Sequence, residues 1–230
     1  MQAPTASELM EAWERAAALG PAEREDQLLR LSLADDPAEL PVGERDARLL
    51  ELREVLFGDA LEGVSDCPGC GEEVEYGLET GALPAGSSES GTVELTLHGH
   101  RLTVRLPTGA DLADAASLGE LEGARTLLLE RCVGERDAET LPTEVVAELS
   151  ERLAEADPLA DARLALTCPA CEHRWAVAFE IGAWLWNELE SWARRTLLDV
   201  HTLASAYGWS EAEILALGPR RELYLELVEG

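Results

Sequence analysis

Four of the five cysteines occur as two Cys-Pro-x-Cys motifs, Cys67/Cys70 and Cys168/Cys171. Cysteine thiolates are ligands of structural zinc, and four of them close a tetrahedron around the ion. Each Cys-x-x-Cys turn supplies two thiolates, so the two motifs together supply a complete set of four. Because four protein ligands leave no coordination place for water or substrate, the motifs predict a structural zinc ion rather than a catalytic one.

Redox chemistry and disulfide formation are the alternative uses of these cysteines. A redox Cys-x-x-Cys motif normally begins a helix, whose N-terminus lowers the pKa of the thiol, whereas strand-like alternation follows both motifs here. The chain shows no secretory signal pattern, which predicts a reducing cytosol, where stable disulfides are rare. His173, which follows the second motif, is expected beside the site or exposed to solvent before it is expected as a ligand.

The elements that must position the cysteines are two matching hairpins. Apolar residues recur at every second position after each motif, and a period of two is typical of a half-buried strand. Strands are therefore predicted over about 61–66 and 73–79 around the first motif, and over about 162–167 and 174–180 around the second. The alternating residues are Val74, Tyr76 and Leu78 in the first hairpin, and Trp175, Val177 and Phe179 in the second.

The distance between the two motifs along the chain is unusual for one metal site. Residues 71–167, 97 in number, separate them, against about 15 to 20 in an ordinary zinc ribbon. A domain-sized insertion must therefore return the second motif to the first. The entropic cost of closing such a loop rises slowly with its length, and zinc binding, of order 10 kcal/mol, offsets it.

These patterns predict an α+β fold in which zinc-ribbon-like β-hairpins with a four-cysteine site carry a domain-sized insertion and are flanked by amphipathic helices. We expect an N-terminal helical segment over residues 1–58, a split zinc-ribbon core with an inserted hairpin and helices over 59–181, and a C-terminal helical segment over 182–230. The inserted hairpin is predicted over 92–97 and 102–106. Cys132 lies in an apolar helical stretch and is predicted to be buried.

The C-terminal segment predicts one long helix from Gly182 to Tyr207, a short helix after Ser210 and a last helix from Pro219. Large aromatic side chains are common both in protein cores and in interface hot spots. We expect the tryptophans of the long helix to belong to the core, with an interface role as the alternative. They are Trp184, Trp186 and Trp192.

The net charge of −28 comes from 46 acidic residues against 18 basic ones, and every basic residue is arginine. Such a surface repels the phosphates of nucleic acid, so the composition disfavours a nucleic-acid partner and favours a basic protein partner. No stretch reaches the roughly 18 apolar residues of a membrane-spanning helix. We therefore expect a soluble cytoplasmic protein.

The sequence contains no signature of a known catalytic site. It has no Ser-His-Asp spacing, no phosphate-binding loop and no dinucleotide fingerprint. Because 46 residues are acidic, two carboxylates close together in sequence do not indicate a general acid and base of a catalytic site. We therefore expect no enzymatic activity, no catalytic residue and no cofactor other than structural Zn²⁺.

Two segments are similar to a known family. One runs from His201 to Leu217, contains Trp-Ser-x-x-Glu-Ile-Leu, and continues to Tyr224 and Leu225, while the other is Arg-Leu-Pro-Thr-Gly-Ala-Asp-Leu at 105–112. Both resemble the T-even phage baseplate protein family, whose members look like small hub or assembly components of contractile tails and related injection systems. The N-terminal helices lie outside the resemblance.

The resemblance implies a structural or assembly component of the baseplate or hub of a contractile, phage tail-like injection system. Such a protein acts through protein–protein contacts, and its implied partners are tube, hub, spike or wedge components. It is found in the cytoplasm or within an assembled particle. A free-standing cytosolic zinc-ribbon adaptor or regulatory protein is the alternative.

Overall fold

The computed structural model describes residues 3–32, 36–84, 92–134, 138 and 141–229. Within these residues the chain is α+β, as predicted, with helices and three antiparallel two-stranded hairpins. The helices are α1 (Ala6–Ala16), α2 (Pro21–Leu29), α3 (Val42–Phe57), α4 (Gly109–Ser117), α5 (Leu121–Val133), α6 (Thr143–Ala156), α7 (Ile181–Tyr207), α8 (Glu211–Leu215) and α9 (Arg220–Glu229). The strands are β1 (Ala60–Asp66), β2 (Glu73–Glu79), β3 (Thr92–Leu97), β4 (His100–Arg105), β5 (Arg163–Thr167) and β6 (Arg174–Ala178).

The chain divides into two compact units. Residues 1–32 and 182–230 form one, here called the helical unit, and residues 33–181 form the other, here called the hairpin unit. Helices α1 and α2 belong to the helical unit, and α3 belongs to the hairpin unit. None of the helices in the described part of the chain combines the length and the apolarity needed to cross a membrane.

The helical unit is built from capped, amphipathic helices. At the start of α1 the Glu8 N–H donates to the Thr5 hydroxyl at 3.3 Å, and the Thr5 N–H donates to the Glu8 carboxylate at 2.8 Å. This capping box satisfies backbone donors that the first helical turn leaves free. Ser210 and Glu213 form a second capping box at the start of α8.

The buried face of α7 follows the helical period. Buried residues recur at three- and four-residue intervals along it, and Trp186 is among them. The guanidinium carbon of Arg24 lies 4.6 Å from the centre of the Trp186 ring. Trp186 is therefore a core residue, as predicted. The fully buried residues of this face include Leu185, Leu189, Ala193 and Leu203.

Each hairpin of the hairpin unit is a separate two-stranded sheet. In the β3–β4 hairpin, Leu97 pairs with His100, so β4 begins two residues before the predicted position. The two turn residues, His98 and Gly99, have positive φ angles of 47° and 85°. This is the two-residue hairpin turn that matches the twist of the strands.

An apolar cluster of the hairpin unit joins the β3–β4 hairpin to helices α5 and α6. Cys132 lies within it, 5% exposed, as predicted. Burial raises the pKa of the Cys132 thiol to about 11. The buried residues of this cluster are Leu97, Leu102, Val104, Cys132, Val133, Val145 and Leu149.

The segment that leads into α4 is held by an ion pair. The Arg105 guanidinium donates to both carboxylate oxygens of Asp111, at 2.6 and 2.9 Å. Asp111 also accepts from the Thr108 N–H at 2.8 Å and so completes the capping box of α4. Burial raises the pKa of Asp111, but the bonds from Arg105 and Thr108 outweigh it and hold that pKa below its usual value.

Helix α3 begins against a carboxylate from a distant part of the chain. The Gly43 N–H donates to Oδ2 of the buried Asp157 at 2.9 Å. A Cβ atom at position 43 would lie 1.7 Å from Oδ1 of the same carboxylate. Only glycine therefore lets the helix end approach Asp157 so closely.

Candidate metal centre

The structure brings the four motif cysteines together, with their sulfur atoms all within 4.8 Å of one another. The Sγ atoms of Cys67 and Cys171 are 3.7 Å apart, as are those of Cys70 and Cys168. A Zn–S bond of about 2.3 Å gives a tetrahedron whose edge is about 3.8 Å, whereas a disulfide bond is about 2.05 Å long. The sulfur positions therefore fit four ligands of one tetrahedral ion and do not fit disulfides.

The two motifs have the same backbone structure. In the first, the Gly71 N–H donates to the Cys67 carbonyl at 2.8 Å, and the Cys67 N–H donates to the Glu72 carbonyl at 2.8 Å. The second motif repeats both hydrogen bonds, at 3.0 Å from the Glu172 N–H to the Cys168 carbonyl and at 2.9 Å from the Cys168 N–H to the His173 carbonyl. Each turn therefore presents its two sulfurs from an equivalent local structure.

The residue after the second cysteine of each motif has a left-handed backbone. Gly71 has a φ of 77° and Glu172 a φ of 59°. Glycine adopts this conformation without steric cost, whereas for Glu172 it costs about 1–2 kcal/mol. The second motif thus keeps the same turn as the first despite an unfavourable residue. Sequence reasoning did not identify this position, although Gly71 was a signal for it.

The hairpins position the motifs from both sides. Strand β1 leads into the first motif and β2 leaves it, and β5 and β6 do the same for the second, with Asp66 opposite Glu73 and Thr167 opposite Arg174. Neither motif begins a helix. The helix N-terminus that lowers the pKa of a redox-active thiol is therefore missing from both motifs.

The two motifs share a small apolar cluster. Cys67 and Cys168 are 2% and 0% exposed, whereas Cys70 and Cys171 are exposed to solvent. Val74 is the other buried member of the cluster, and Trp175 packs against it half-buried. Because so few apolar side chains bury little surface, a bound ion would stabilise this junction more than the apolar cluster does.

Backbone N–H groups point at the sulfurs. The Gly69 N–H donates to Cys67 Sγ at 3.4 Å. Burial raises the pKa of Cys168, but hydrogen bonds from the backbone of Cys171 and Ala170 and from neighbouring thiols lower it to about 7. These hydrogen bonds favour the thiolate form of Cys168.

The exposed cysteines of the cluster behave differently. A backbone hydrogen bond from Glu72 lowers the pKa of Cys70, but the neighbouring thiols raise it to about 12. A backbone hydrogen bond from His173 and a hydrogen bond from Cys70 lower the pKa of Cys171, but burial and the thiols of Cys67 and Cys168 outweigh them and raise it. Four thiolates cannot share so small a volume without a cation, so a bound metal ion would displace protons from them.

His173 lies beside the cluster, as expected, and not among its four members. Its ring stacks on Trp175, with ring centres 6.2 Å apart and an angle of 22° between the planes. A Cβ atom at position 69 would lie 3.2 Å from the His173 side chain. Gly69 therefore allows the first turn to lie against the histidine of the second, a close approach that the sequence did not indicate.

Comparisons of the chain with family models, with curated proteins and with solved structures find no match.

Proposed function

We propose that this chain is a zinc-stapled structural protein that acts through protein–protein contacts. Cys67, Cys70, Cys168 and Cys171 hold one structural Zn²⁺, and the two hairpins around them are the halves of a split zinc ribbon. The observation that carries this proposal is the 3.7 Å separation of the paired sulfurs, which equals the edge of a zinc–thiolate tetrahedron within about 0.1 Å.

The chemistry of the ligands favours zinc and a structural role. A tetrahedron of four thiolates suits zinc or iron–sulfur chemistry among the common biological metals. Four Cys ligands on a single zinc leave no position for a water molecule, so the ion stabilises the fold and activates nothing. We propose no enzymatic activity for this site.

The ion joins the two ends of the insertion. Between the motifs lie β3, β4 and helices α4 to α6, and the ion fixes where this segment leaves the hairpins and where it returns. Such a cross-link supplies rigidity that the small apolar cluster around Cys67 and Cys168 does not supply. The protein thereby offers fixed surfaces to its partners.

We place this structural role in the baseplate or hub of a contractile, phage tail-like injection system, with tube, hub, spike or wedge proteins as partners. The resemblance of residues 105–112 and 201–217 to the T-even phage baseplate protein family supports this placement. Both segments contain the start of a capped helix, at Thr108 and Ser210. The charge of −28 supports protein partners over nucleic acid.

The test is to isolate the chain from its own cells with an affinity tag at the native locus. We expect it to co-sediment with a large assembly that contains sheath and tube proteins, in a fixed ratio to them, and we expect the genes of those proteins nearby. The Cys168→Ser variant should be recovered in lower yield in this fraction. A small one-to-one complex with one regulatory protein would instead support the alternative, a free-standing zinc-ribbon adaptor.

A further inference from the structure

The last helix of the chain, α9, has one face fixed against its own unit. Tyr224 meets Tyr207 and Trp209 edge-on, with ring centres 5.8 and 4.9 Å apart. Nε of Arg221 lies 3.3 Å from a carboxylate oxygen of Asp199 on α7. These contacts orient α9 on the helical unit, so its outward face is defined.

Two leucines lie on that outward face. Leu223 and Leu227 are 60% and 71% exposed, and their spacing of four residues places one above the other on the helix surface. Single exposed leucines are common on protein surfaces. An aligned pair on an anchored helix, with the aromatic cluster already packed on the other side, is instead typical of a helix that docks on a partner.

A row of carboxylates runs beside the leucines. Glu222 and Glu226 are exposed and also four residues apart, so they form a parallel acidic row next to Leu223 and Leu227. Neither carboxylate forms an ion pair with an arginine of the described residues. The outward face of α9 thus combines an apolar ridge with an unpaired acidic border.

We propose that this face docks an amphipathic helix of a basic protein partner. Leu223 and Leu227 contact the apolar stripe of that helix, and Glu222 and Glu226 pair with lysine or arginine side chains beside the stripe. This inference rests on the proposed function, because it names the surface and the partner chemistry through which a structural adaptor acts.

The charges on this face select this occupant over others. A second copy of the chain would oppose the same glutamates to each other and bring a second charge of −28 to the interface. Anionic lipid headgroups and nucleic-acid phosphates meet the same repulsion. A helix with positive charges beside its apolar stripe satisfies both parts of the surface, and the charges also speed its encounter.

The test measures binding of a fluorescein-labelled synthetic helix to the full-length, zinc-loaded protein by fluorescence anisotropy. The helix carries leucines at a and d positions of two heptads, with arginine beside them. A second peptide of the same composition has its leucines distributed around the helix. We expect the first peptide to bind more tightly than the second. Its binding should also be tighter at about 50 mM than at about 300 mM salt, because salt screens the ion pairs.

Variants locate the binding site. Leu223→Ala/Leu227→Ala should weaken binding about tenfold or more at both salt concentrations. Glu222→Gln/Glu226→Gln should weaken it at low salt and flatten the salt dependence. Leu121→Ala is the matched control, because Leu121 is 81% exposed in the hairpin unit, and this variant should bind as the wild type does.

The proposal is overturned if the two peptides bind equally, or if neither double variant weakens binding. Dimerisation in sedimentation velocity that Leu223→Ala/Leu227→Ala abolishes would also overturn it and assign the face to a second copy. Zinc content is measured on the same samples. A chain that takes up zinc without binding the peptide refutes the docking surface alone, whereas peptide binding by a chain that takes up no zinc when zinc is supplied refutes the zinc staple alone.

Discussion

Replacement of one motif cysteine by serine tests the metal site in a quantitative way. Cys168 is the best choice, because its side chain is fully buried and its sulfur lies 3.7 Å from that of Cys70. A serine hydroxyl remains protonated at neutral pH and is a poor zinc ligand. The change therefore removes one of four ligands and little else.

The expected size of the effect follows from the geometry. Structural zinc sites bind with about 10–16 kcal/mol, so one ligand of four accounts for about 2.5–4 kcal/mol. Closing the 97-residue loop costs only about 1.5 kcal/mol more than closing an ordinary ribbon. The wild-type site therefore keeps most of the binding free energy of an ordinary structural zinc site. The loss of one ligand in Cys168→Ser should weaken zinc binding about 100- to 1,000-fold.

The assay is competition for zinc against a chromophoric chelator of known affinity, in a metal-free buffer with a phosphine reductant. Cys132→Ser is the control, because Cys132 is equally a buried cysteine but belongs to the cluster between the β3–β4 hairpin and α5 and α6. It should bind zinc with the wild-type affinity. Equal zinc affinities for the wild type and Cys168→Ser, or equal losses of affinity in Cys168→Ser and Cys132→Ser, would show that Cys168 is not a specific zinc ligand.

Two substitutions and one labelling experiment test the packing of the hairpin unit. Asp111→Asn should lower the free energy of unfolding at pH 7 by about 1–3 kcal/mol in urea titrations, because it breaks the pair with Arg105. The pKa of Asp111 in the folded protein is below its unfolded value of 3.8. The stability difference between the wild type and Asp111→Asn should therefore shrink as the pH falls below about 4. Gly43→Ala should cost about 2–4 kcal/mol, because its methyl group would collide with the buried Asp157. Cys132, whose pKa is raised to about 11, should react with a disulfide reagent at about pH 8 only after unfolding, as followed by mass spectrometry.

Matched controls accompany these changes. Asp114 pairs with Arg131 on the surface, so Asp114→Asn should cost less than about 1 kcal/mol. Gly77→Ala should be tolerated, because its Cβ would meet its nearest neighbour at an ordinary 3.6 Å. If Asp111→Asn or Gly43→Ala lowers the free energy of unfolding no more than its control does, the contact assigned to that residue does not stabilise the fold. Rapid labelling of Cys132 in the folded protein would contradict its burial.

The sequence predicted well the two hairpins that surround the motif cysteines. The two motifs and the period of two after each of them indicated the hairpins, because apolar and polar residues alternate along a half-buried strand. The register of β1 with β2 and of β5 with β6 agrees with that pattern. The turn before β4 was placed two residues late, since His98 and Gly99 form a tighter turn than expected.

The long-range contacts were not predictable from the same patterns. An amphipathic helix shows which face is buried but not which element covers it. The sequence therefore did not show that α3 belongs to the hairpin unit while α1 and α2 belong to the helical unit. Likewise, nothing local to Gly43 indicates that a carboxylate 114 residues away, Asp157, accepts its N–H.

X-ray absorption at the zinc edge, on protein purified with its native metal, identifies and counts the atoms bound to the ion. We expect one zinc per chain with a single shell of four sulfurs at about 2.3 Å, which corresponds to the 3.7 Å between paired sulfurs. A shell that contains nitrogen or oxygen, or fewer than four sulfurs per zinc, would contradict it.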